Sequence, residues 1–242
     1  MSLALSRQTV IVTGAAQGLG AAIARRFAAH GARLVLMDYN AGALADTAAG
    51  CGGEVTPITV DLSDRGSTES AIAAAMAVGR IDTLIHNAAI LVEKPFIEEH
   101  PESFFRTFNV GIQAGYQLAR ALWPGMIAAG GGSLVFVSSR SGIQGFARET
   151  AYCATKFALE GFSQALAAEG AGHGIIVNTI TPGMYMRTPM SECNYPPELK
   201  DKWVAPAVLT SAFVALAERR RPELNARRLN AWELSQVIDA GN

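Results

Sequence analysis

The chain alternates short, almost uninterrupted apolar runs with longer alanine-rich stretches, and this alternation restricts its fold more than any other feature. Short runs that are apolar at nearly every position predict strands buried on both faces. A strand–helix–strand order repeated along a chain indicates a parallel sheet with helices on both faces. The six predicted strands are Thr9–Thr13, Arg33–Met37, Val55–Val60, Thr83–His86, Ser133–Val137 and Ile175–Thr179.

The predicted helices are Leu19–His30, Ala41–Ala49, Ser67–Val78, Pro101–Ala129, Thr150–Gly170 and Glu233–Ala240. A length of 242 residues, half of them hydrophobic, fits a single α/β domain over residues 1–242 with a substantial core. Residues 184–203 contain three prolines and no clear periodicity. An irregular segment of this length in a compact domain is typical of a lid or a binding loop, and we expect a substrate lid here.

Charge and composition argue against several classes of function. The chain has 20 basic and 21 acidic residues, so we expect no nucleic-acid partner and no membrane partner. The dense basic run Arg219–Arg221 is interpreted as solvated cations near a helix end. No apolar run reaches the length of a membrane span, and residues 1–8 lack the pattern of a signal peptide. Three cysteines without metal-ligand spacing indicate no metal site and a reducing, cytoplasmic location.

A glycine-rich segment, Thr13–Gly20, follows the first predicted strand and opens the first predicted helix. Glycine lets the backbone turn sharply and approach a ligand closely. The free amides at a helix N-terminus then face a pyrophosphate. The spacing G-x-x-x-G-x-G differs from the commoner G-x-G-x-x-G, but the same mechanics apply. The cofactor-binding residues predicted in this segment are Gly14, Gln17, Gly18, Leu19 and Gly20.

Asp38 ends the second predicted strand, about 20 residues after the glycines, where an acid can accept hydrogen bonds from an adenosine ribose. A carboxylate there repels a 2′-phosphate. No basic residue lies inside the glycine segment, and Tyr39 follows Asp38. We therefore expect NAD and not NADP. The alternative is that Asp38 caps the next helix.

Further polar residues follow the third and fourth predicted strands. Asp61-Leu62 comes at the end of one and Asn87-Ala88 at the end of the next. Open α/β sheets bind ligands at the carboxyl ends of their strands, so we expect Asp61, Leu62, Asn87 and Ala88 to contact the cofactor. Each polar residue taken alone also fits a turn or a cap.

Tyr152 and Lys156 are four residues apart in a predicted helix, which puts a phenol and an ammonium on one face. A tyrosine is a poor acid at neutral pH because its ordinary pKa is about 10. A neighbouring cation favours the phenolate and lowers that pKa. The pair therefore predicts a general acid/base that works near neutrality.

Taken together, these motifs resemble those of the classical short-chain dehydrogenase/reductases. The resemblance extends from Thr13 to about Thr188, most of the chain. It implies a three-layer, doubly wound Rossmann-type core and a nicotinamide cofactor. The matching residues are Thr13, Gly14, Gly18, Gly20, Asp61, Asn87, Ala88, Asn109, Ser138, Ser139, Tyr152, Lys156, Asn178, Pro182, Gly183 and Thr188.

The resemblance also implies a role for each catalytic residue. Tyr152 is the general acid/base, and Lys156 lowers the pKa of Tyr152 and holds the nicotinamide ribose. Ser139 bonds the substrate oxygen, with its neighbour Ser138 as the weaker candidate. Asn109 anchors a water that joins Lys156 to solvent.

On the cofactor side, the resemblance implies that Asp61 contacts the adenine and that Asn87 bonds backbone beside the cofactor. Thr188, after Pro182-Gly183, binds the nicotinamide carboxamide. His86 and Ala89 depart from the family, which often has Asn and Gly there. We interpret His86 as a packed residue at a strand end.

The C-terminus departs further from the family. Residues 225–232 replace its usual glycine turn, short strand and Asp-Gly-Gly stretch. That puts the family's C-terminal subunit contact in doubt. A homo-oligomer, a homotetramer or a dimer, remains the expectation because helices 101–129 and 150–170 carry small residues suited to helix contacts.

The substrate is the part that the sequence defines least. The residues expected around it are apolar and aromatic, which favours a small or medium secondary alcohol or ketone. One of Arg140 and Arg148 is a candidate to bind an acidic substrate, and the alternative is that both are arginines of the surface or of a subunit contact. Two alternatives to alcohol dehydrogenation stay open: an epimerase or dehydratase that retains NAD, and a nucleotide sensor without turnover. The residues predicted to bind substrate are Ser139, Gln144, Tyr152, Met184 and Tyr185.

Overall fold

The computed structural model describes residues 4–218 and 222–241. Its strands are β1 (Thr9–Thr13), β2 (Arg33–Asp38), β3 (Val55–Thr59), β4 (Thr83–His86), β5 (Gly132–Val137), β6 (Ile175–Thr181) and β7 (Arg228–Asn230). In the described chain these seven form one sheet in the order β3-β2-β1-β4-β5-β6-β7, and every neighbouring pair is parallel. The strand order reverses between β1 and β4. A reversal of this kind opens a ligand crevice at the carboxyl ends of the strands.

The α-helices are α1 (Gly18–Ala29), α2 (Ala41–Cys51), α3 (Arg65–Ala77), α4 (Pro101–Phe108), α5 (Ala114–Ala128), α6 (Thr150–Gly170), α7 (Pro189–Asn194), α8 (Thr210–Ala217) and α9 (Ala231–Ala240). They cover both faces of the sheet. Val10 and Val12 of β1 pack in one core with α1, α2 and α8, whereas Ile11 packs in a second core with α3, α5 and α6. Successive strand residues point to opposite faces, so an all-apolar strand fills both cores. The predicted three-layer, doubly wound fold is confirmed.

Two departures from the predicted elements affect the site. The predicted helix 101–129 contains a π-helical turn at Asn109–Gln113, where the amide of Ala114 bonds the carbonyl of Asn109. The segment predicted to be irregular, 184–203, contains α7 and a 3₁₀ helix at Pro197–Lys202, so that part of the prediction is wrong. Pro189 and Pro197 are the first residues of these short helices, where a missing amide hydrogen costs little, and Pro196 is the N-cap of the 3₁₀ helix.

A third departure is β7, which pairs with β6 in the region that we expected to lose its strand. Three residues are too short for a periodic signal, and the pairing partner lies far away in the sequence. Arg219–Arg221 lies outside the described residues. Within the described ranges, no helix has both the length and the apolar character needed to cross a bilayer.

Candidate active site

A cavity of about 370 Å³ lies at the carboxyl ends of the central strands. It is the crevice that the reversal of strand order predicts. Of the predicted cofactor residues, Gly20 and Gly183 do not line it. Those that do are Gly14, Gln17, Gly18, Leu19, Asp38, Asp61, Leu62, Asn87, Ala88, Tyr152, Lys156, Pro182 and Thr188.

The glycine segment forms one wall through close backbone contacts. Gly14 has a φ of +64°, a left-handed conformation that disfavours any side chain. A Cβ atom on Gly20 would lie 2.0 Å from the carbonyl oxygen of Gly14. The side-chain amide of Asn87 donates to the carbonyls of Thr13 and Gly14, both at 3.1 Å. The segment is thus held open at the N-terminus of α1, which fits the pyrophosphate of a dinucleotide.

Asp38 is buried at the end of β2, and backbone amides hold both of its oxygens. Oδ2 accepts from the amide of Ala16 and Oδ1 from the amide of Asn40, each at 3.0 Å. The cap of α2 is instead Asn40, whose Oδ1 accepts from the amide of Ala43 at 3.1 Å. The alternative that Asp38 caps this helix is therefore wrong. Its carboxylate fastens the glycine segment and lines the cavity.

Asp61, which follows β3 and lines the cavity, stays ionised. Its Oδ1 accepts from the hydroxyl of Ser63 at 2.7 Å and from the amide of Ser63 at 2.9 Å. These two bonds, and then the charge of Arg106, lower the pKa of Asp61. Asn109 does not line the cavity, and its side-chain amide donates to the carbonyl of Ser63 at 3.1 Å. The π-helical turn that begins at Asn109 is a feature often found at functional sites.

Tyr152 and Lys156 lie together on α6 and line the cavity. The Nζ atom of Lys156 is 5.3 Å from the centre of the Tyr152 ring and donates to the carbonyl of Val137 at 2.6 Å. Burial raises the pKa of Tyr152 above its ordinary value and Tyr195 adds to the rise, whereas a hydrogen bond with Ser139 opposes it. The predicted lowering of this pKa is wrong for this structure, because burial outweighs any effect of the neighbouring ammonium.

Lys156 itself is buried, and this changes its acidity. Burial lowers the pKa of its ammonium to about 8, and the carboxylate of Glu160 opposes that shift. A lysine with this pKa still carries most of its positive charge at neutral pH. It therefore remains available as the cation that a phenolate at Tyr152 requires.

The two adjacent serines have different partners. Ser138 is buried and donates to the carboxylate of Glu160 at 2.5 Å. Ser139 is the serine that bonds Tyr152, and its Oγ accepts from the amide of Ser141 at 3.2 Å. The hydroxyl of Ser141 donates in turn to buried Glu149 at 2.7 Å. Ser138 lines the cavity, but its hydroxyl is engaged by Glu160, whereas the hydroxyl of Ser139 bonds Tyr152, which favours Ser139 as the partner of a substrate oxygen.

His86 is a buried packing residue. Its Nδ1 lies 3.0 Å from the hydroxyl of Thr13, and its Nε2 lies 3.1 Å from the carbonyl oxygen of Gly111. Burial, reinforced by the charge of Lys156, lowers the pKa of His86 to about 4. The imidazole is therefore neutral at physiological pH.

Four of the predicted substrate residues do not line the cavity, and Ser139 is one of them, although its neighbour Ser138 does. Gln144 points to solvent, Met184 is half-buried outside the wall, and the ring of Tyr185 packs against Tyr195 with centroids 5.6 Å apart. Two other residues of the predicted lid, Met186 and Met190, do line the cavity. Further apolar lining residues include Ile90, Val110 and Val137.

The two arginines considered for an acidic substrate also lie outside the cavity wall. The guanidinium of Arg140 lies over the ring of Phe146, 4.7 Å from its centre. The carbonyl of Arg148 accepts from the amide of Lys94 at 3.0 Å. Arg140 is thus engaged by an aromatic neighbour, as surface arginines often are.

The predicted lid contacts the glycine segment through Thr188. Its hydroxyl accepts from the amide of Ser191 at 3.1 Å and so caps α7. A Cβ atom on Gly18 would lie 3.2 Å from the methyl group of Thr188. The capping bond holds Thr188 in the cavity wall, which is the position that the family resemblance implies for this residue.

Sequence reasoning missed several cavity residues. Tyr39 and Asn40 directly follow Asp38, and Val60 directly precedes Asp61, so their position next to strand ends was an available signal. Arg106 lies three residues before Asn109 on α4, and no sequence pattern indicated that it reaches the cavity.

Comparison with known proteins identifies the family. The sequence model described as short chain dehydrogenase matches residues 8–198. The chain is 39% identical over 192 residues to Oxidoreductase UcpA of Escherichia coli (strain K12), an alignment that covers 78% of this chain and 73% of the relative. It is 36% identical over 196 residues to L-xylulose reductase of Mus musculus, with 81% and 78% covered.

Two solved structures are similar over nearly the whole chain. A putative NAD(P) dependent gluconate 5-dehydrogenase from Beutenbergia cavernae, with bound NADP at low occupancy, has a TM-score of 0.86 and 28% identity and covers 95% of this chain and 98% of its own. The 3-ketoacyl-(acyl-carrier-protein) reductase from Brucella melitensis, complexed with NADH, has a TM-score of 0.87 and 25% identity over 93% and 97%. The chain therefore belongs to the classical short-chain dehydrogenase/reductase family, the oxidoreductases that use a nicotinamide cofactor on hydroxyl and keto groups.

Proposed function

We propose that this protein is an NAD-dependent dehydrogenase that interconverts a small or medium secondary alcohol and its ketone. One observation carries the proposal. Tyr152, bonded to Ser139 and adjacent to Lys156, lines the same cavity as the glycine segment and the carboxylate of Asp38. A proton acceptor and a dinucleotide cradle that share one cavity are what alcohol oxidation requires.

Tyr152, Ser139 and Lys156 have separate roles in the proposed reaction. NAD, when bound, supplies the acceptor for the hydride of the carbinol carbon. Tyr152 takes the proton of the substrate hydroxyl, and Ser139 donates a hydrogen bond to the substrate oxygen. Lys156 stabilises the phenolate form of Tyr152 through its charge. In the reverse direction Tyr152 returns the proton to the ketone oxygen.

The choice of NAD rests on the charges around the adenosine side of the cavity. The carboxylate of Asp38 is fixed by two backbone amides and lines the cavity, so a 2′-phosphate would face a buried negative charge. Among the described lining residues the basic side chains are Arg106 and Lys156, and neither belongs to the glycine segment or follows Asp38. Since similar structures hold either NADP or NADH, their likeness does not decide the cofactor, and Asp38 carries the argument.

The substrate class follows from the apolar residues that line the same cavity as Tyr152. Apolar side chains such as Ile90, Met186 and Met190 favour an alcohol with an aliphatic or aromatic substituent. Because one relative is a xylulose reductase, a polyol is the natural comparison substrate. Preference for a polyol over apolar alcohols would contradict this part of the proposal.

The test is a panel of 2-butanol, cyclohexanol, 1-phenylethanol and xylitol with NAD, followed by absorbance of the reduced nicotinamide. We expect turnover with at least one apolar alcohol and a loss of about 10²-fold or more in kcat for Tyr152→Phe. Calorimetric titration of that variant with NAD should still show binding. Full activity in Tyr152→Phe would contradict the assigned acid/base, and higher kcat/KM with NADP would contradict the assigned cofactor. Cofactor that stays bound and exchanges no hydride with any alcohol would instead favour the epimerase or dehydratase alternative.

A further inference from the structure

A charged cluster lies behind residues 138–142, which we call the serine turn. Its centre is Glu160, a buried residue of α6. One carboxylate oxygen accepts from the hydroxyl of Ser138 at 2.5 Å and from Nε of Arg228 at 3.0 Å, and the other accepts from the hydroxyl of Thr179 at 2.7 Å. Ser138 follows β5, Thr179 lies in β6 and Arg228 begins β7. One carboxylate therefore joins α6 to three adjacent strands.

Arg228 makes a second bond, to the backbone of Ser139. While its Nε pairs with Glu160, its Nη2 donates to the carbonyl oxygen of Ser139 at 2.9 Å. A guanidinium is planar and presents its donors in fixed directions, so it holds two acceptors in a set relation. The two acceptors here belong to the serine turn and to α6, the helix that carries Tyr152.

The packing around this link leaves the turn little room. A Cβ atom on Gly142 would lie 2.8 Å from the hydroxyl oxygen of Ser138 and 3.2 Å from Cγ of Glu160. A buried carboxylate is costly without a compensating cation, and Arg228 forms an ion pair with it. Loss of the guanidinium would therefore leave Glu160 undercompensated and the Ser139 carbonyl without this donor.

We propose that Arg228 is a positioning residue, which holds the Ser139 hydroxyl in register with Tyr152 by bonding Glu160 and the Ser139 carbonyl at once. The inference rests on the proposed function for its effect on turnover. The structural part of the inference, that Arg228 restrains the serine turn, does not depend on the proposed function. The residue lies in β7, within the C-terminal region where the sequence departs from the family pattern.

The test uses two variants of the full chain and one control. Arg228→Lys keeps the charge opposite Glu160 but loses the second directed bond. The double variant Arg228→Met/Glu160→Gln removes both charges, while the glutamine can still bond Ser138 and Thr179. Arg227→Met removes a cation from the adjacent, exposed position and serves as the matched control. Each variant is assayed with NAD and the best alcohol of the panel, by thermal unfolding, and by amide hydrogen exchange of residues 138–143.

In both Arg228 variants we expect kcat to fall at least about tenfold with KM within about twofold, because a misplaced reacting group mainly affects the chemical step. The double variant also removes the carboxylate that opposes the lowering of the Lys156 pKa, so Arg228→Lys, which keeps Glu160, is the variant that tests positioning. Amide exchange in the serine turn should accelerate in both. The double variant should keep a thermal midpoint near that of the wild type, because no uncompensated charge remains. Arg227→Met should match the wild type in every measurement.

Wild-type kcat in either Arg228 variant would overturn the proposal, and so would unchanged exchange of residues 138–143. A double variant in which kcat recovers together with the thermal midpoint would also overturn it, because the pair would then serve stability alone. If instead the proposed function is wrong, the wild type itself will turn over no alcohol. The amide exchange of residues 138–143 will still test whether Arg228 restrains the serine turn.

Discussion

The ammonium of Lys156 lies over the ring of Tyr152, with Nζ 5.3 Å from the ring centre. A cation in this position interacts with the negative face of the aromatic ring. The same ammonium donates to the carbonyl of Val137, at the end of β5, which fixes it in the cavity wall. The free protein therefore holds the cation next to the phenol, while burial keeps the phenol protonated.

The first prediction concerns ionisation of Tyr152. Because burial raises its pKa, we expect no Tyr152 phenolate in the free protein at or below pH 10, about the ordinary pKa of a tyrosine. Saturating NAD brings a cationic nicotinamide and should lower that pKa. The measurement is the ultraviolet difference spectrum between the wild type and Tyr152→Phe across pH, with and without NAD. A phenolate signal near neutral pH without NAD would contradict the prediction.

The second prediction concerns His86 and the pH dependence of stability. Its pKa is about 4 in the folded protein and about 6.5 when unfolded, so the unfolded state binds more protons between these values. Stability should fall as pH drops from about 6.5 to about 4, and this residue contributes up to about 3 kcal/mol of that loss. Urea unfolding of the wild type and His86→Asn across this window measures the contribution. Parallel curves for the two proteins would refute it.

The third prediction concerns Asp38 and cofactor choice. Asp38→Asn removes the charge that opposes a 2′-phosphate, so the ratio of kcat/KM with NADP to that with NAD should rise at least about tenfold, or about 1.4 kcal/mol. Activity with NAD should also fall, because the variant loses an acceptor for the amide of Ala16 or Asn40. Asp46→Asn, on the exposed side of α2, is the control and should leave the ratio unchanged. An unchanged ratio in Asp38→Asn would remove the basis for NAD preference.

The fourth prediction concerns the bond between Ser141 and Glu149. Ser141→Ala removes the hydroxyl that donates to the buried carboxylate of Glu149 and that accepts a hydrogen bond from the hydroxyl of Ser139. We expect a loss of about 1–3 kcal/mol in the free energy of unfolding, together with lower kcat. Ser70→Ala, at an exposed position of α3, should change neither. Wild-type stability of Ser141→Ala would show that the bond contributes nothing.

The fifth prediction concerns the glycine segment. An alanine at Gly20 places a methyl group against the carbonyl oxygen of Gly14 and displaces the segment, so NAD binding by calorimetry should weaken at least about tenfold. Gly161→Ala is the matched control, because nothing lies within 4 Å of its added Cβ. The control should bind NAD normally and gain about 0.5–1 kcal/mol in stability. Unchanged NAD binding in Gly20→Ala would argue against the glycine segment as the binding site for the pyrophosphate of NAD.

Local chemistry along the chain accounts for most of what the sequence predicts. Strands such as Thr9–Thr13 and Thr83–His86 were predicted with their observed bounds, because residues buried on both faces must be apolar. The helix Thr150–Gly170 also matches, and its four-residue spacing puts Tyr152 beside Lys156. These features need only neighbours in sequence and the periodicity of a helix or strand.

Tertiary structure decided the features that depend on distant partners. The rise in the pKa of Tyr152, the use of Ser138 by Glu160, and the pairing of Arg228 with that carboxylate each join segments far apart in the chain. A buried group's acidity and partners depend on everything packed around it, and no spacing rule encodes that environment. The sequence by itself therefore determined most of the residues that enter the cavity from strand ends and from one helix face, while packing determined the remaining ones and how all of them are charged and held.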